Sequence, residues 1–143
     1  MERFNFWYRW LFVLGIIIIL FGVFMTLFNQ SLLFRLFNDQ IDPVFWGDEA
    51  ISEAFIKFQG WVYGVLGATM AGWGVMLIFI IQYPFRQREK WAWIAIAANL
   101  GFWYLLDTAL SLYFGVFFNA VFNTLLVFLV LPPLTATRKA IVA

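Results

Sequence analysis

The sequence predicts an all-α integral membrane protein, on the evidence of its composition, its apolar segments and its charge distribution. Hydrophobic residues make up 64 % of the 143 residues and charged residues 12 %, whereas soluble domains are closer to half apolar and a quarter charged. The mean hydropathy is +0.88. Four apolar segments are each long enough to cross a bilayer as a helix. We therefore expect a single membrane domain, residues 1–143, forming a four-transmembrane-helix bundle with an interfacial amphipathic helix between helices 1 and 2.

The first span is predicted at about residues 10–29, because residues 11–28 carry no charge. The segment 30–59 that follows is acidic and carries scattered apolar residues. Its Asp42-Pro43 pair predicts a turn, and Gly47-Asp48-Glu49 predicts the start of an amphipathic helix that lies at the membrane surface and leads into the next span. A lid over an outward-facing pocket is the alternative for this helix.

The second span is predicted at about residues 60–83 and carries small residues four positions apart. These are Gly60, Gly64, Ala68 and Gly72. A face without bulky side chains lets another helix approach closely. We expect it to pack against another span of the same chain, with dimerisation as the alternative. Pro84 is expected to end the helix, and the basic turn 86–90 follows.

The third span, about residues 91–113, contains a single charged residue, Asp107. An acid within a membrane span is costly and generally faces protein or a wet cavity, so Asp107 needs partners. Ser111 lies one helical turn above it and Trp103 one turn below. The fourth span is predicted at about 115–131, with Gly115 as the pivot of a tight hairpin and Pro132-Pro133 as the end of the helix. Near its start, Asn119 and Asn123 lie one turn apart.

The charge distribution predicts the orientation. Four spans place both termini on one side, where seven basic residues lie, against two, Arg35 and Lys57, on the other. By the positive-inside rule both termini are cytoplasmic and the segment 30–59 is outside, and we expect the cytoplasmic (inner) membrane of a prokaryote. In this orientation polar residues of all four spans are expected to converge on the outer third of the bundle. They are Thr26, Asn29, Gln30, Gln59, Tyr63, Asp107, Ser111, Asn119 and Asn123.

The cluster around Asp107 has two interpretations. In the structural one, its polar groups join helices through hydrogen bonds that contribute about 0.6 kcal/mol each. In the functional one, it is a pocket for a small molecule, a lipid or a cation, since an acid beside aromatic rings attracts cations. The residues of that candidate pocket are Asp107, Ser111, Asn119, Asn123, Trp103 and Tyr104.

The composition also bears on the function class. The sequence has no cysteine and no histidine, which removes disulfides, thiolate metal sites and the commonest general base. The acids of segment 30–59 match no calcium-loop spacing. We therefore expect no enzymatic activity, no metal or other cofactor, and no nucleic-acid partner.

The function expected from the sequence is that of a small accessory, assembly or structural subunit. Its partners would be the lipid bilayer and either a larger membrane protein or further copies of itself. The alternative is a binding protein or transporter for a small molecule, lipid or cation, with an outer-leaflet pocket around Asp107.

Overall fold

The computed structural model describes residues 2–47 and 49–142, and every regular element in these two ranges is helical. The elements are α1 (Glu2–Phe28), α2 (Leu32–Trp46), α3 (Glu53–Ile80) with a π-helical turn (Ile81–Phe85), α4 (Lys90–Tyr113) and α5 (Phe117–Ile141). The helices α1, α3 with its π-helical turn, α4 and α5 are each long and apolar enough to cross a membrane. This confirms the all-α class and is consistent with a multi-pass membrane protein. The spans extend beyond the predicted bounds, most clearly at 53–85 and 117–141.

The helices α1 and α3 pack along each other through glycines. A Cβ atom added to Gly22 would lie 2.6 Å from the carbonyl oxygen of Gly67 and 2.6 Å from the backbone nitrogen of Ala71. A Cβ added to Gly74 would lie 2.8 Å from the side chain of Ile19. The two backbones therefore approach closely only because these positions lack side chains.

The predicted small-residue face of the second span is only partly correct. Gly60 and Gly64 do face the end of α1, but Ala68 is exposed and an added Cβ at Gly72 would meet nothing within 4 Å. Steps of four residues rotate around a helix by about 40° each, since there are 3.6 residues per turn. The contact face therefore leaves the four-residue series and continues through Gly67, Ala71 and Gly74.

The most deeply buried apolar residues lie where both termini meet the turn between α3 and α4. Ile81 and Phe85 of the π-helical turn have no exposed surface, and the Phe4 ring stacks on Phe85 with a centroid distance of 6.0 Å. This core also contains Leu11, Ala92, Ile96 and Leu134. The other end of the molecule, which holds the polar sites, has fewer buried residues.

Pro84 does not end the second span as predicted. The helix continues because it widens into a π-helical turn, in which the Arg86 N–H donates to the carbonyl of Ile81 five residues earlier at 3.2 Å. The helix then closes at Arg88, whose φ of 63° is left-handed. The Arg88 N–H donates to Phe85 and the Glu89 N–H to Pro84, both at 2.9 Å, which is the bonding of a Schellman cap.

Pro132 and Pro133 do not end the fourth span either, since α5 continues to Ile141. Pro133 has no N–H to donate to the carbonyl of Leu129, four residues earlier. The indole N–H of Trp10 donates to that carbonyl instead, at 3.0 Å. A side chain of α1 therefore replaces a hydrogen bond that proline removes from α5, a contact that local sequence rules do not reveal.

This replacement predicts a specific coupling between Trp10 and Pro133. Trp10→Phe keeps the ring but leaves the Leu129 carbonyl without its donor, and should lower the free energy of unfolding by about 1 kcal/mol. In a Pro133→Ala background the helix regains its own N–H, so the same change should cost much less. Thermal unfolding of the four proteins of this cycle in detergent measures the coupling. If Trp10→Phe lowers the free energy of unfolding equally in both backgrounds, the indole hydrogen bond does not replace the backbone hydrogen bond that Pro133 removes.

The segment between the first two spans also differs from the prediction. Pro43 lies inside α2 rather than in a turn. Gly47 is the C-terminal cap of α2, with a φ of 55°, and its N–H donates a hydrogen bond to the Pro43 carbonyl. The next helix begins at Glu53, where the Ser52 hydroxyl accepts a bond from the Phe55 N–H at 3.3 Å. The predicted helix start at Gly47-Asp48-Glu49 is therefore wrong for Gly47 and Glu49. Asp48 lies outside the described residues.

The hairpin between α4 and α5 agrees with the prediction. Three residues connect the two helices, and Gly115 among them has a φ of 77°, a conformation that glycine adopts without strain. The Val116 N–H donates to the carbonyl of Ser111 at 2.8 Å. The turn therefore returns the chain antiparallel to α4 and brings the start of α5 beside Asp107.

Candidate functional sites

The Asp107 cluster joins α4 to α5 through one carboxylate oxygen. Oδ1 of Asp107 accepts hydrogen bonds from the side-chain amides of Asn119 at 2.7 Å and Asn123 at 2.8 Å. The hydroxyl of Ser111, one turn along α4, lies 3.3 Å from the same oxygen and 2.7 Å from the Asp107 carbonyl. Three of the residues predicted to surround Asp107 therefore do so.

Further contacts tie this cluster together. The Asn119 amide also donates to the Ser111 hydroxyl at 2.8 Å, and the Asn123 amide lies 3.4 Å from the hydroxyl of Thr108. Asn123 and Ser111 are buried, with 2 % and 8 % of their surface exposed, whereas Asp107 is half-buried. In the part of the chain that the structure describes, no side chain donates to the second oxygen, Oδ2. The donors that Asp107 has are amides and a hydroxyl rather than cations.

The two aromatic residues predicted for the same pocket make contacts with neighbouring helices. The Trp103 ring is 6.5 Å from that of Trp73 on α3, and the Tyr104 hydroxyl lies 3.1 Å from the hydroxyl of Thr124 on α5. Trp103 and Tyr104 therefore join α4 to neighbouring helices. Neither makes a hydrogen bond to Asp107.

The polar residues of the first two spans form a separate group. The Thr26 hydroxyl donates to the carbonyls of Gly22 and Gly64, and the Asn29 amide donates to the carbonyl of Gly60 at 3.1 Å. Among the described residues no hydrogen bond links this group to the Asp107 cluster. The polar residues that were predicted to converge on the outer third of the bundle therefore form two separate hydrogen-bonded groups.

An aromatic layer lies between α1, α2 and α5. Phe37 of α2 contacts Phe21 of α1 at 5.9 Å and Phe118 and Phe122 of α5 at 5.8 and 5.7 Å, measured between ring centroids. Phe34, one turn before Phe37, is 3 % exposed. Packing between aromatic rings therefore joins α2 to α1 and α5.

The second polar site, which we call the outer cavity, is a space of about 430 Å³ between the end of α1, the polar side of α2 and the start of α3. One basic and two acidic side chains line it, with four amides, one phenol and a few apolar groups. Its lining residues are Asn29, Gln30, Leu32, Arg35, Asn38, Asp39, Asp42, Ile51, Ile56, Gln59, Gly60 and Tyr63.

Arg35, Asp39 and Asp42 were not predicted as site residues. A signal was present, because Ser31 is a good N-terminal helix cap and positions 35, 39 and 42 share one face of a helix. The turn predicted at Asp42-Pro43 placed Asp42 outside any helix, so the three residues were not recognised as one face. In the structure the Ser31 hydroxyl accepts from the Phe34 N–H at 3.4 Å, and α2 continues to Trp46.

The side chains of the two sites offer charges and hydrogen-bonding groups. Within residues 2–47 and 49–142, no group of three acidic side chains is placed to hold a metal ion. No protein-family model matches the chain, and neither a characterised protein nor a solved structure is significantly similar to it. The function is therefore inferred from the side chains of the Asp107 cluster and the outer cavity.

Proposed function

We propose that this protein is a small non-enzymatic membrane subunit with an accessory or assembly role. The observation that supports this is the saturation of Asp107 Oδ1 by Asn119, Asn123 and Ser111. An acid within a span is a candidate for ligand or proton chemistry by default, but here its hydrogen bonds join two helices of the same chain. The surfaces of the protein then carry the function.

The proposed arrangement is a four-helix bundle in a prokaryotic cytoplasmic membrane, with both termini in the cytoplasm. Seven basic residues at one end against two at the other support the orientation. The termini and the α3–α4 turn meet at the basic end, since Phe4 stacks on Phe85 and the Trp93 indole donates to the Leu134 carbonyl at 3.0 Å. The outer cavity then faces outward.

We propose that α2 lies in the outer membrane interface. Three of its leucines, Leu32, Leu33 and Leu36, are 79 %, 66 % and 65 % exposed, which suits contact with lipid rather than water. The adjoining face carries Arg35 and Asp39, which lie three residues after Leu32 and Leu36 and line the outer cavity. A helix with one apolar and one charged face is stable at the boundary between lipid and water.

The accessory role is tested by purification of the full-length protein from its native membrane in mild detergent. We expect a larger membrane protein to co-purify in fixed stoichiometry and to survive size-exclusion chromatography. Cross-linking before solubilisation controls for partners lost to detergent. A monomer or homo-oligomer in both preparations, without any other subunit, would contradict the accessory role.

A second candidate function is cation binding at Asp107. The observation that favours it is Oδ2, which accepts no hydrogen bond from a described residue. A cation could approach this oxygen while Oδ1 keeps its three donors. The aromatic contribution expected from Trp103 and Tyr104 has less support, because those rings contact Trp73 and Thr124.

A further inference from the structure

We infer that the outer cavity binds a small zwitterion, a molecule or lipid headgroup that carries an ammonium close to a phosphate or carboxylate. This inference concerns a different site from the Asp107 cluster and does not depend on the accessory role. It is supported by the charges of the cavity, the way its wall is built, and its position in the fold.

The charges of the cavity have both signs and are aligned. Arg35, Asp39 and Asp42 lie on one face of α2 and line the same space. At 1.5 Å per residue, Arg35 is about 6 Å along the helix from Asp39. In the described part of the chain, neither the Arg35 guanidinium nor the Asp39 carboxylate makes a hydrogen bond to another residue, so both are free to bind a ligand. A guanidinium binds phosphate and carboxylate in a two-pronged geometry, and a carboxylate binds ammonium.

The wall opposite these charges is held in place by hydrogen bonds. The Gln59 amide donates to Asp42 Oδ1 at 2.8 Å and so links α3 to α2. Asn29, 9 % exposed, donates to the carbonyls of Met25 and Gly60. An added Cβ at Gly60 would lie 2.9 Å from the Gln30 amide nitrogen, so glycine there keeps room for these amides. The cavity is therefore formed before a ligand binds, which reduces the entropy cost of binding.

One more polar group of the wall lacks a partner. Oδ1 of Asn38 is buried and accepts no hydrogen bond from a described residue. A buried acceptor without a donor is unfavourable, and a ligand donor that reaches this oxygen after a small movement of the Asn38 side chain would supply the missing bond. This observation favours a ligand with donors of its own over a purely anionic one.

The position of the cavity allows two sources for the same zwitterion. The exposed Leu32 and the apolar Ile51 and Ile56 at its rim suit the start of a lipid chain. A soluble zwitterion would enter from the aqueous side of α2. The chemistry at Arg35 and Asp39 is the same in both cases.

The test uses full-length protein in detergent with O-phosphoethanolamine as the soluble probe, measured by titration calorimetry and thermal unfolding. Ethanolamine and inorganic phosphate are the single-charge controls. We expect the affinity for O-phosphoethanolamine to be about tenfold higher than for either control, or more. A single hydrogen bond to a charged group contributes a factor of that size. Arg35→Gln and Asp39→Asn should each weaken binding by about tenfold or more.

Two variants control for indirect effects. Glu53→Gln removes an exposed acid that is outside the cavity on the same side of the molecule, and should bind within about twofold of the parent. If Arg35→Gln proves unstable, Arg35→Lys takes its place. Lysine keeps the positive charge, so this variant should retain part of the affinity. Measurable binding of ethanolamine and O-phosphoethanolamine with equal affinity, or probe binding that is unchanged in both Arg35→Gln and Asp39→Asn, would overturn the inference.

Lipid as the source is tested in the same preparation by native mass spectrometry with phosphatidylethanolamine and phosphatidylglycerol at equal concentration. Preferential retention of phosphatidylethanolamine, lost in Arg35→Gln, would identify a headgroup site even if the soluble probe does not bind. Binding of the soluble probe without lipid preference would identify a free zwitterion. If neither the probe nor either lipid binds selectively, the inference is wrong.

Discussion

Replacing Gly67 with alanine is expected to lower the free energy of unfolding by about 2–3 kcal/mol, the upper part of the range for overpacking. The added Cβ would lie 2.5 Å from the carbonyl oxygen of Gly22 and 2.7 Å from the backbone nitrogen of Thr26. Both atoms belong to the backbone of α1, so neither can move aside as a side chain does. The helices α1 and α3 must separate, and their other contacts weaken. Chemical unfolding of the purified protein in detergent measures the loss.

The matched control is Gly72→Ala in the same helix. An added Cβ there meets nothing within 4 Å, and alanine is the better helix former. We therefore expect unchanged or slightly higher stability. If Gly67→Ala proves as stable as Gly72→Ala, the close approach of α1 and α3 at Gly22 is incorrect.

Replacing Asp107 with alanine is expected to cost about 2 kcal/mol, because the amides of Asn119 and Asn123 lose their shared acceptor and hydrogen bonds between membrane helices contribute about 0.6 to 1.7 kcal/mol each. The Ser111 hydroxyl keeps its bond to the backbone carbonyl of residue 107. Asp107→Asn keeps an acceptor oxygen in place and should cost less than half as much. The control is Asn99→Ala, an exposed polar position two turns away on α4, which should leave stability unchanged. The same unfolding measurement applies to all three variants.

The Asp107 variants also separate the two candidate functions. If the acid only joins α4 to α5, stability follows the number of hydrogen bonds retained and partner binding persists in Asp107→Asn. If Oδ2 binds a cation, Asp107→Asn abolishes cation binding while the fold remains. Equal stability of the parent and Asp107→Ala would contradict the structural role of the cluster.

The parts of the fold that follow from one-dimensional patterns could be predicted. Span number depends on run length and hydropathy, and Gly115 was recognisable because a three-residue turn requires an unusual backbone conformation. Helical spacing also placed Ser111 beside Asp107. The turn at Gly115 then placed Asn119 and Asn123 opposite, so most of this site could be derived from the sequence.

The remaining errors arose where tertiary contacts override local rules. Pro84 and Pro133 end isolated helices, but a π-helical turn accommodates the first and the Trp10 indole compensates for the second. The rotation of Trp103 towards Trp73 depends on how α3 and α4 pack, which their own sequences do not specify. The face formed by Arg35, Asp39 and Asp42 was missed because Asp42-Pro43 suggested a turn.

The bond between Trp10 and the Leu129 carbonyl has a consequence for biosynthesis. Ribosomes deliver this chain from its first helix to its last, so α1 enters the bilayer long before Pro133 emerges. When α5 forms, its Leu129 carbonyl has no donor from its own helix, because Pro133 lacks an N–H. The N-terminal helix must still be nearby and correctly rotated to supply one. Completion of the last helix therefore depends on the first, and a variant without the Trp10 indole would complete its C-terminal helix less efficiently.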